Sequence, residues 1–162
     1  MRVWLTVAGW ALVASIAGAA GWFWFVCPCE RTPGGPLSGE RRSVAIDDWS
    51  FANDVDLCQI EVDRGIAWSV NLNCMADDSG ALYLSCARCD GKAWSTAAIS
   101  NSAGRIRIDG KVYPVTLTRV EEGGLLDVAW QARANKLGRG RDTKRPDHWW
   151  SFQITSRSDV ET

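Results

Sequence analysis

The stretch that decides the fold is GRIRIDGKVYPVTLTRV, residues 104–120. Isoleucine and arginine alternate along its first part, and an alternation of period two is typical of a half-buried β-strand. The dipeptide Asp109-Gly110 follows, and it is a favoured pair for a two-residue hairpin turn. The stretch therefore predicts a β-hairpin whose apolar side chains contribute to the core. These residues are Ile106, Ile108, Val112, Val115 and Leu117.

Three further strands are predicted before this hairpin. The segments LCQIEV (57–62), IAWSVNLNCMA (66–76) and ALYLSC (81–86) alternate apolar and polar residues. Two turn sequences, DRG and DDSG, separate these segments along the chain. In the middle segment, four residues are expected to share one face of the strand: Trp68, Val70, Leu72 and Cys74.

The part of the chain after the hairpin predicts one helix and one strand. Residues 121–138, EEGGLLDVAWQARANKLG, place apolar side chains at helical spacing and end at Gly138. The segment HWWSFQITSR, residues 148–157, predicts the last strand. Strands joined by hairpins, with one late helix, favour a mainly β protein over a βαβ sheet. We therefore expect a small antiparallel β-barrel with one or two helices.

An apolar segment precedes this domain. Residues 3–26 contain no charged side chain, and as a helix they would extend roughly 36 Å at about 1.5 Å per residue. A membrane core of about 30 Å needs about 20 residues. The sequence Ala17-Gly18-Ala19 matches a signal-peptide cleavage site, but the apolar run continues past it through GWFWFV. This continuation favours an uncleaved transmembrane helix over residues 1–26.

The remaining chain predicts a linker and one soluble domain. Residues 27–42, CPCERTPGGPLSGERR, have the composition of a linker, and the β-barrel domain would occupy residues 43–162. Arginines after the apolar segment do not favour export, whereas the very short N-terminal tail fits a signal anchor. Six cysteines suit an oxidising compartment. We therefore expect a single-pass membrane protein with a periplasmic or extracellular domain. The net charge of −1 gives no indication of a nucleic-acid partner.

The order of elements, with three local motifs, resembles a known superfamily. The motifs are GALYLSC, then GKAW leading into the hairpin, and the helix that precedes a short last strand. From about residue 48 to residue 157 the chain resembles the split β-barrel flavin-binding superfamily, which includes pyridoxamine-phosphate-oxidase-like and deazaflavin-dependent proteins. The resemblance implies a homodimer and a bound FMN or deazaflavin, with the flavin phosphate against the third strand and the connection after it.

Four residues match the positions that would hold the cofactor in this resemblance. They are Ser85, Arg88, Lys92 and Trp94. A hydroxyl and two cations suit a phosphate dianion. An indole ring can cover one face of an isoalloxazine. The cysteines of this connection, Cys86 and Cys89, depart from the family pattern.

Cys86 and Cys89 have several interpretations. A thioredoxin-like dithiol requires a βαβ setting, and a c-type haem requires a histidine where Asp90 stands. A zinc site would need Cys58 and Cys74 as further ligands, and these lack the paired spacing of a zinc knuckle. We therefore favour a disulfide, formed either between Cys86 and Cys89 or with Cys58 and Cys74, and expect no metal.

The turns allow a test of the longer-range pairings. If DDSG sets the register, Cys74 lies near Tyr83, while Cys86 lies near Asn71 on the opposite face. If DRG sets the other hairpin, Cys58 lies near residue 70, four residues from Cys74. Neither register brings Cys74 comfortably close to Cys58 or to Cys86.

No catalytic residue is evident in the sequence. His148 is the only histidine, and a half-exposed residue at the start of the last strand is its simplest interpretation. Two classes of function stay open. The first is a membrane-anchored split-barrel oxidoreductase that binds a flavin-type cofactor. The second is a non-catalytic, membrane-tethered accessory subunit of a larger membrane complex.

Overall fold

The computed structural model describes residues 2–29 and 31–158, with side chains from residue 7 onwards. The first element, helix α1, spans Arg2–Phe25. Within the described ranges, its section Val7–Phe25 is the one stretch long and apolar enough to cross a membrane, and none of it is buried. The expected N-terminal apolar helix is therefore present. Its length and composition are compatible with a membrane span and equally with a signal sequence.

The other elements form a β-barrel with two packed helices. The strands are β1 (Glu40–Arg41), β2 (Cys58–Asp63), β3 (Ala67–Ala76), β4 (Leu82–Cys86), β5 (Ala103–Ile108), β6 (Lys111–Arg119) and β7 (Trp150–Ser156). The helices are α2 (Ala93–Ser100) and α3 (Gly123–Leu137), and a short 3-10 helix covers Ser50–Asp54. The order in the sheet is β1-β6-β5-β2-β3-β4-β7, and β7 also pairs with β6. Strands β2 to β7 therefore close into an antiparallel barrel, which confirms the predicted fold class.

The predicted hairpin joins β5 to β6. Ile108 pairs with Lys111, and Asp109 and Gly110 between them have φ angles of 49° and 73°. Positive φ at both central residues is what a type I′ turn requires, and Asp-Gly supplies it at low cost. All five apolar residues expected in the core are buried. The alternation of side chains along this stretch was therefore sufficient to predict its structure.

Two apolar clusters lie on the two faces of the barrel wall. The interior cluster contains Ile60, Leu84, Ile106 and Phe152, together with Trp94 and Ala98 from α2. The outer cluster lies beneath α3, where Ala129 and Ala132 pack on Met75, Tyr83 and Trp149. Helix α3 begins where the Glu122 carboxylate accepts hydrogen bonds from the amides of Gly124 and Leu125, and it ends at Gly138 with φ 63°. The interior is thus filled by side chains from both the sheet and α2.

The strand registers differ from those predicted from the turns. Cys58 lies opposite Leu72 rather than residue 70, and Cys74 lies opposite Leu84 rather than Tyr83. The connection between β2 and β3 is longer than the turn that DRG suggested, because Asp63 pairs with Ala67 and three residues lie between them. Two residues rather than four therefore separate Leu72, the partner of Cys58, from Cys74. The expectation that this pair was too far apart was wrong: the two cysteines form a disulfide with a Cα–Cα distance of 5.7 Å.

The segment predicted as a linker packs along the barrel. Gly34 exchanges two backbone hydrogen bonds of 2.9 Å with Ser69 of β3. Leu37 is buried, and β1 pairs in parallel with the start of β6. The amide of Gly35 also donates to the carbonyl of Phe23, whose ring lies 5.7 Å from that of Trp68. Residues 27–42 therefore join the last turn of α1 to the barrel wall by specific contacts.

Candidate functional site

A groove on the barrel wall, beside the end of α1, is the candidate site. Its volume is about 300 Å³. Three parts of the chain line it: the segment after α1, the middle of β3 and the start of α2. The lining residues are Arg31, Thr32, Pro33, Val70, Asn71, Leu72, Lys92 and Trp94. The groove therefore contains two of the four residues that the sequence predicts at a cofactor.

A tight turn positions Lys92 at the edge of this groove. The disulfide between Cys86 and Cys89 closes the turn after β4. The amide of Lys92 donates to the carbonyl of Cys89 at 3.1 Å, and the Ser95 hydroxyl donates to the same carbonyl at 2.5 Å. The Ser95 hydroxyl also contacts the carbonyl of Lys92. These bonds hold the backbone of Lys92 at the N-terminus of α2.

A second turn brings Arg31 to the lining of the same groove. Cys29 and Thr32 exchange two backbone hydrogen bonds of 3.2 and 2.8 Å, which makes a tight turn that contains Arg31. The bonds between Gly34 and Ser69 then hold this turn against β3. Arg31 and Lys92 are 61 residues apart in sequence, and both line one groove.

The charge of the groove suits an anion. Arg31 and Lys92 are both exposed, and neither forms an ion pair with a carboxylate of the described residues. A guanidinium and an ammonium can both donate to phosphate oxygens. A larger groove of about 430 Å³ lies between the β3–β4 loop and α3, but Asp77, Asp78 and Asp127 line it. Like charges there would repel a phosphate.

The four residues predicted at the cofactor do not come together. Ser85 is 3% exposed and its hydroxyl lies 4.0 Å from Met75 Sδ, on the face of β4 beneath α3. Trp94 belongs to the interior cluster on the other face, where its ring lies 5.1 Å from the ring of Phe152. Arg88 is exposed in the turn but does not line the groove. Lys92 is the one exposed member of the four that does.

The residues of the groove suit the phosphate of a flavin-type cofactor but not its ring system. Lys92, with Arg31, could hold the phosphate. Trp94 borders the groove, but it is only 4% exposed, so its ring face cannot cover an isoalloxazine without leaving the core. The sequence did not single out Arg31, because the segment around it has the composition of a linker. No sequence signal relates residue 31 to residue 92.

Two other polar residues, Lys136 and His148, do not line the groove. The ammonium of Lys136 donates to the carbonyls of Ala52 and Cys74 at 2.8 and 2.6 Å, and burial lowers the pKa of Lys136. These bonds occupy its donors in the wall of the barrel. His148 is exposed before β7, next to Trp149, which is buried against Trp130. In the part of the chain that the structure describes, no group of three side chains could hold a metal ion.

Comparison with known proteins gives a match in structure but none in sequence. No family model matches the chain, and no curated protein matches it. The fold is similar to that of a candidate pyridoxamine 5'-phosphate oxidase from Listeria innocua, with a TM-score of 0.50 and 9% identity. That match covers 65% of this chain and 87% of the other.

Two further solved structures match at lower TM-scores. A NimC/NimA family protein from Clostridium acetobutylicum has a TM-score of 0.46 and 14% identity, over 65% of this chain and 74% of that one. A candidate pyridoxamine 5'-phosphate oxidase from Corynebacterium glutamicum has a TM-score of 0.37 and 17% identity, over 64% and 81%. These two carry no weight in the assignment.

The closed six-strand antiparallel barrel makes this chain a split β-barrel protein. Its fold is similar to that of the candidate pyridoxamine 5'-phosphate oxidase from Listeria innocua, as the order of elements in the sequence indicated. At 9% identity the likeness establishes the fold alone.

Proposed function

We propose that this protein is a membrane-anchored split-barrel oxidoreductase that binds FMN or a deazaflavin by its phosphate. The observation that carries the proposal is the groove in which Arg31 and Lys92 lie without a carboxylate partner among the described residues. Two exposed cations in the lining of one groove suit a phosphate better than a neutral ligand. A bound flavin would supply hydride or electron transfer, and the chain itself would supply the binding site.

The homodimer implied by the family resemblance belongs to this proposal. Trp94 is held in the core against Phe152, so this groove offers a phosphate site without an exposed aromatic face for the ring system. A second copy of the chain would have to cover the isoalloxazine. The proposal therefore requires that cofactor binding and dimer formation occur together.

The membrane anchor and the oxidising compartment are supported by separate features. The 19 residues of Val7–Phe25 are exposed and apolar, and they would span roughly 28 Å as a helix at about 1.5 Å per residue. Four of the six cysteines lie in disulfides, which persist outside the cytoplasm. We propose a single-pass protein whose barrel lies in the periplasm or outside the cell.

A second candidate function is a non-catalytic, membrane-tethered accessory subunit. The specific observation in its favour is that Ser85 and Trp94 pack in the two apolar clusters, away from a ligand. A barrel of this kind would keep the fold and contribute a surface to a larger membrane complex.

The test is cofactor binding by the full chain in lipid nanodiscs. The purified protein is examined for the visible absorbance of a flavin and then titrated with FMN and with a deazaflavin. We expect Lys92→Ala and Arg31→Ala each to weaken binding by about tenfold, because each removes a charge-assisted contact of about 1.5 kcal/mol. Arg88→Ala is the matched control, because Arg88 is exposed nearby but does not line the groove.

The outcomes separate the two functions. If the wild-type chain carries no flavin and binds neither ligand, the oxidoreductase proposal is wrong and the accessory function is favoured. If Arg88→Ala weakens binding as much as Lys92→Ala, the phosphate lies at the turn and the groove is not the site.

A further inference from the structure

Two of the six cysteines remain thiols. Cys58 is bonded to Cys74 and Cys86 to Cys89, whereas Cys27 and Cys29 are free. All six lie in the described ranges. The free pair stands directly after α1 with one proline between the two cysteines. Neither the split-barrel fold nor the proposed cofactor site gives these two thiols a role.

The pair is held in a defined geometry. The amide of Cys27 donates to the carbonyl of Trp22 at 3.2 Å, so Cys27 continues from the last turn of α1. Cys29 is fixed by its two backbone hydrogen bonds with Thr32. Gly34 packs against the peptide between Cys27 and Pro28 so closely that a Cβ atom there would clash with it. The two thiols are therefore part of the packed junction between the helix and the barrel.

The two thiols differ in exposure. Cys27 is buried, with 4% of its surface exposed, while Cys29 is half-buried and reaches solvent. Their side chains are hydrogen-bonded to each other, and this bond, with burial, raises the pKa of Cys27. Cys27 therefore keeps its proton over a wider pH range than an ordinary thiol. An accessible thiol beside a buried one is the arrangement needed for a nucleophile and a resolving partner.

We propose that Cys27 and Cys29 form a redox-active dithiol that exchanges with disulfide-bearing molecules at the junction of α1 and the barrel. Cys29 is the entry thiol and Cys27 is the resolving thiol. The site adjoins the groove, because Cys29 is hydrogen-bonded to Thr32 in the turn that lines it, and its co-substrate is a disulfide, RSSR.

The exchange has two balanced steps. The Cys29 thiolate attacks one sulfur of RSSR, which breaks the S–S bond, forms a mixed disulfide at Cys29 and releases RS⁻. Cys27 then loses its proton to solvent and attacks Cys29 Sγ, which forms the Cys27–Cys29 bond and releases the second RS⁻. The protein dithiol loses two electrons, RSSR gains two, and the two released thiolates take up the two protons.

The Cys58–Cys74 pair provides an internal control. Both of its cysteines are fully buried in the barrel, whereas Cys29 and Cys86 are half-buried. Access by a dissolved thiol is therefore much lower at the Cys58–Cys74 pair than at Cys29. A bond between Cys27 and Cys29 would be more exposed than the Cys58–Cys74 bond, and exposed disulfides are the more readily reduced ones.

The experiment uses the full chain in nanodiscs with oxidised and reduced glutathione as the probe. Peptide mass spectrometry without reduction follows each cysteine pair. In the wild type we expect a Cys27–Cys29 bond that forms with oxidised glutathione and opens with reduced glutathione, while the buried Cys58–Cys74 disulfide stays intact. We expect Cys27→Ser to trap glutathione on Cys29 at least about tenfold faster than Cys29→Ser traps it on Cys27.

The wild-type chain tests whether the site exists, and the two single variants test the roles of its thiols. Equal trapping by the two single variants would overturn the assigned roles. A wild-type chain that forms no reversible Cys27–Cys29 bond would overturn the site itself. An intact Cys58–Cys74 bond in each variant shows that the barrel is folded, because both of its cysteines are fully buried in the wild type. Loss of flavin binding has no bearing on these readouts, so failure of the cofactor proposal is distinguishable from failure of this one.

Discussion

Tyr83 is buried beneath α3, and its hydroxyl donates to Asp77 Oδ2 at 3.3 Å. Burial first, and then the negative charge of Asp77, raise the pKa of Tyr83 from 10.0 to about 12. The folded protein therefore holds this proton more tightly than the unfolded chain. The resulting stabilisation is complete below pH 10.0 and is lost as the pH rises towards about 12. We expect the free energy of unfolding to fall by about 1–3 kcal/mol across this window.

Urea unfolding of the full chain across this pH range measures the effect, with Tyr83→Phe as the matched control. The phenylalanine ring fills the same space but carries no proton to lose. The variant should therefore show a flatter dependence on pH. Identical pH dependence in the two proteins would contradict the assignment to Tyr83.

Gly104 is a position where any side chain would meet the barrel wall. A Cβ atom there would lie 2.7 Å from the carbonyl oxygen of Glu61 and 2.7 Å from Leu117 Cδ1. One of these neighbours is backbone in the adjacent strand, so it cannot move without disturbing the pairing of β5 with β2. We expect Gly104→Ala to lower the free energy of unfolding by about 1–3 kcal/mol.

Thermal unfolding compares this variant with Gly123→Ala. A Cβ atom at Gly123, the first residue of α3, meets nothing within 4 Å. That substitution should therefore change stability by less than about 0.5 kcal/mol. A similar loss from both substitutions would show that steric contact at Gly104 is not the cause.

The individual residues of the groove show what a sequence can and cannot predict. Lys92 was predicted at the site because GKAW resembles a family motif, and it lines the groove. Arg31 was not, because only the contacts between Gly34 and Ser69 bring its turn to β3. Trp94 was expected to face a ligand, but its ring packs on Phe152 inside the barrel. Residue type alone cannot distinguish an indole in a core from one in a site.

At the level of elements, the β5–β6 hairpin is the part of the barrel that depends most clearly on its own sequence. Ile108 is 1% exposed and lies next to the turn. A carboxylate at this position would be buried without a partner, which costs about 4 kcal/mol or more. We therefore expect Ile108→Asp to unfold the domain.

The matched control for this substitution is Ile99→Asp, because Ile99 lies on α2 with 53% of its surface exposed. Circular dichroism and urea unfolding of the full chains measure the difference. Ile99→Asp should leave the fold intact. If the Ile108→Asp chain unfolds at the same urea concentration as the wild type, the hairpin is not part of the core.

Elements with a local signal were predicted well, and those that depend on contacts elsewhere were not. The period-two alternation and Asp109-Gly110 were sufficient for β5 and β6. Helix α2 was not placed from the sequence, which gave this segment only as the connection after the third strand, because its eight residues are too few for a clear period. The buried face of α2, with Trp94 and Ala98, forms only because the barrel offers an apolar interior. The strand registers were wrong because the connections before and after β3 are both longer than their turn residues suggested.

For the whole molecule, the main prediction concerns the side of the membrane on which the barrel lies. If α1 anchors the chain with the barrel outside the cytoplasm, a membrane-impermeant thiol reagent should label intact cells after mild reduction. Cys29 is the expected target, because it is half-buried and close to the end of α1. Cys27→Ser/Cys29→Ser is the control, and it should lose most of the label. Labelling that requires broken cells would place the barrel in the cytoplasm.

The double pairing of β7 has a consequence for how the protein is made. Residues 150–156 join β4 to β6 and close the barrel, and they are translated after every other strand. Until residues 150–156 emerge from the ribosome, the edges of β4 and β6 that pair with β7 have unpaired amides and carbonyls. A chain threaded through a membrane with α1 first would thus cross with an unclosed sheet. We therefore expect ribosome stalling or truncation before Trp150 to leave a nascent chain that proteases and holdase chaperones recognise.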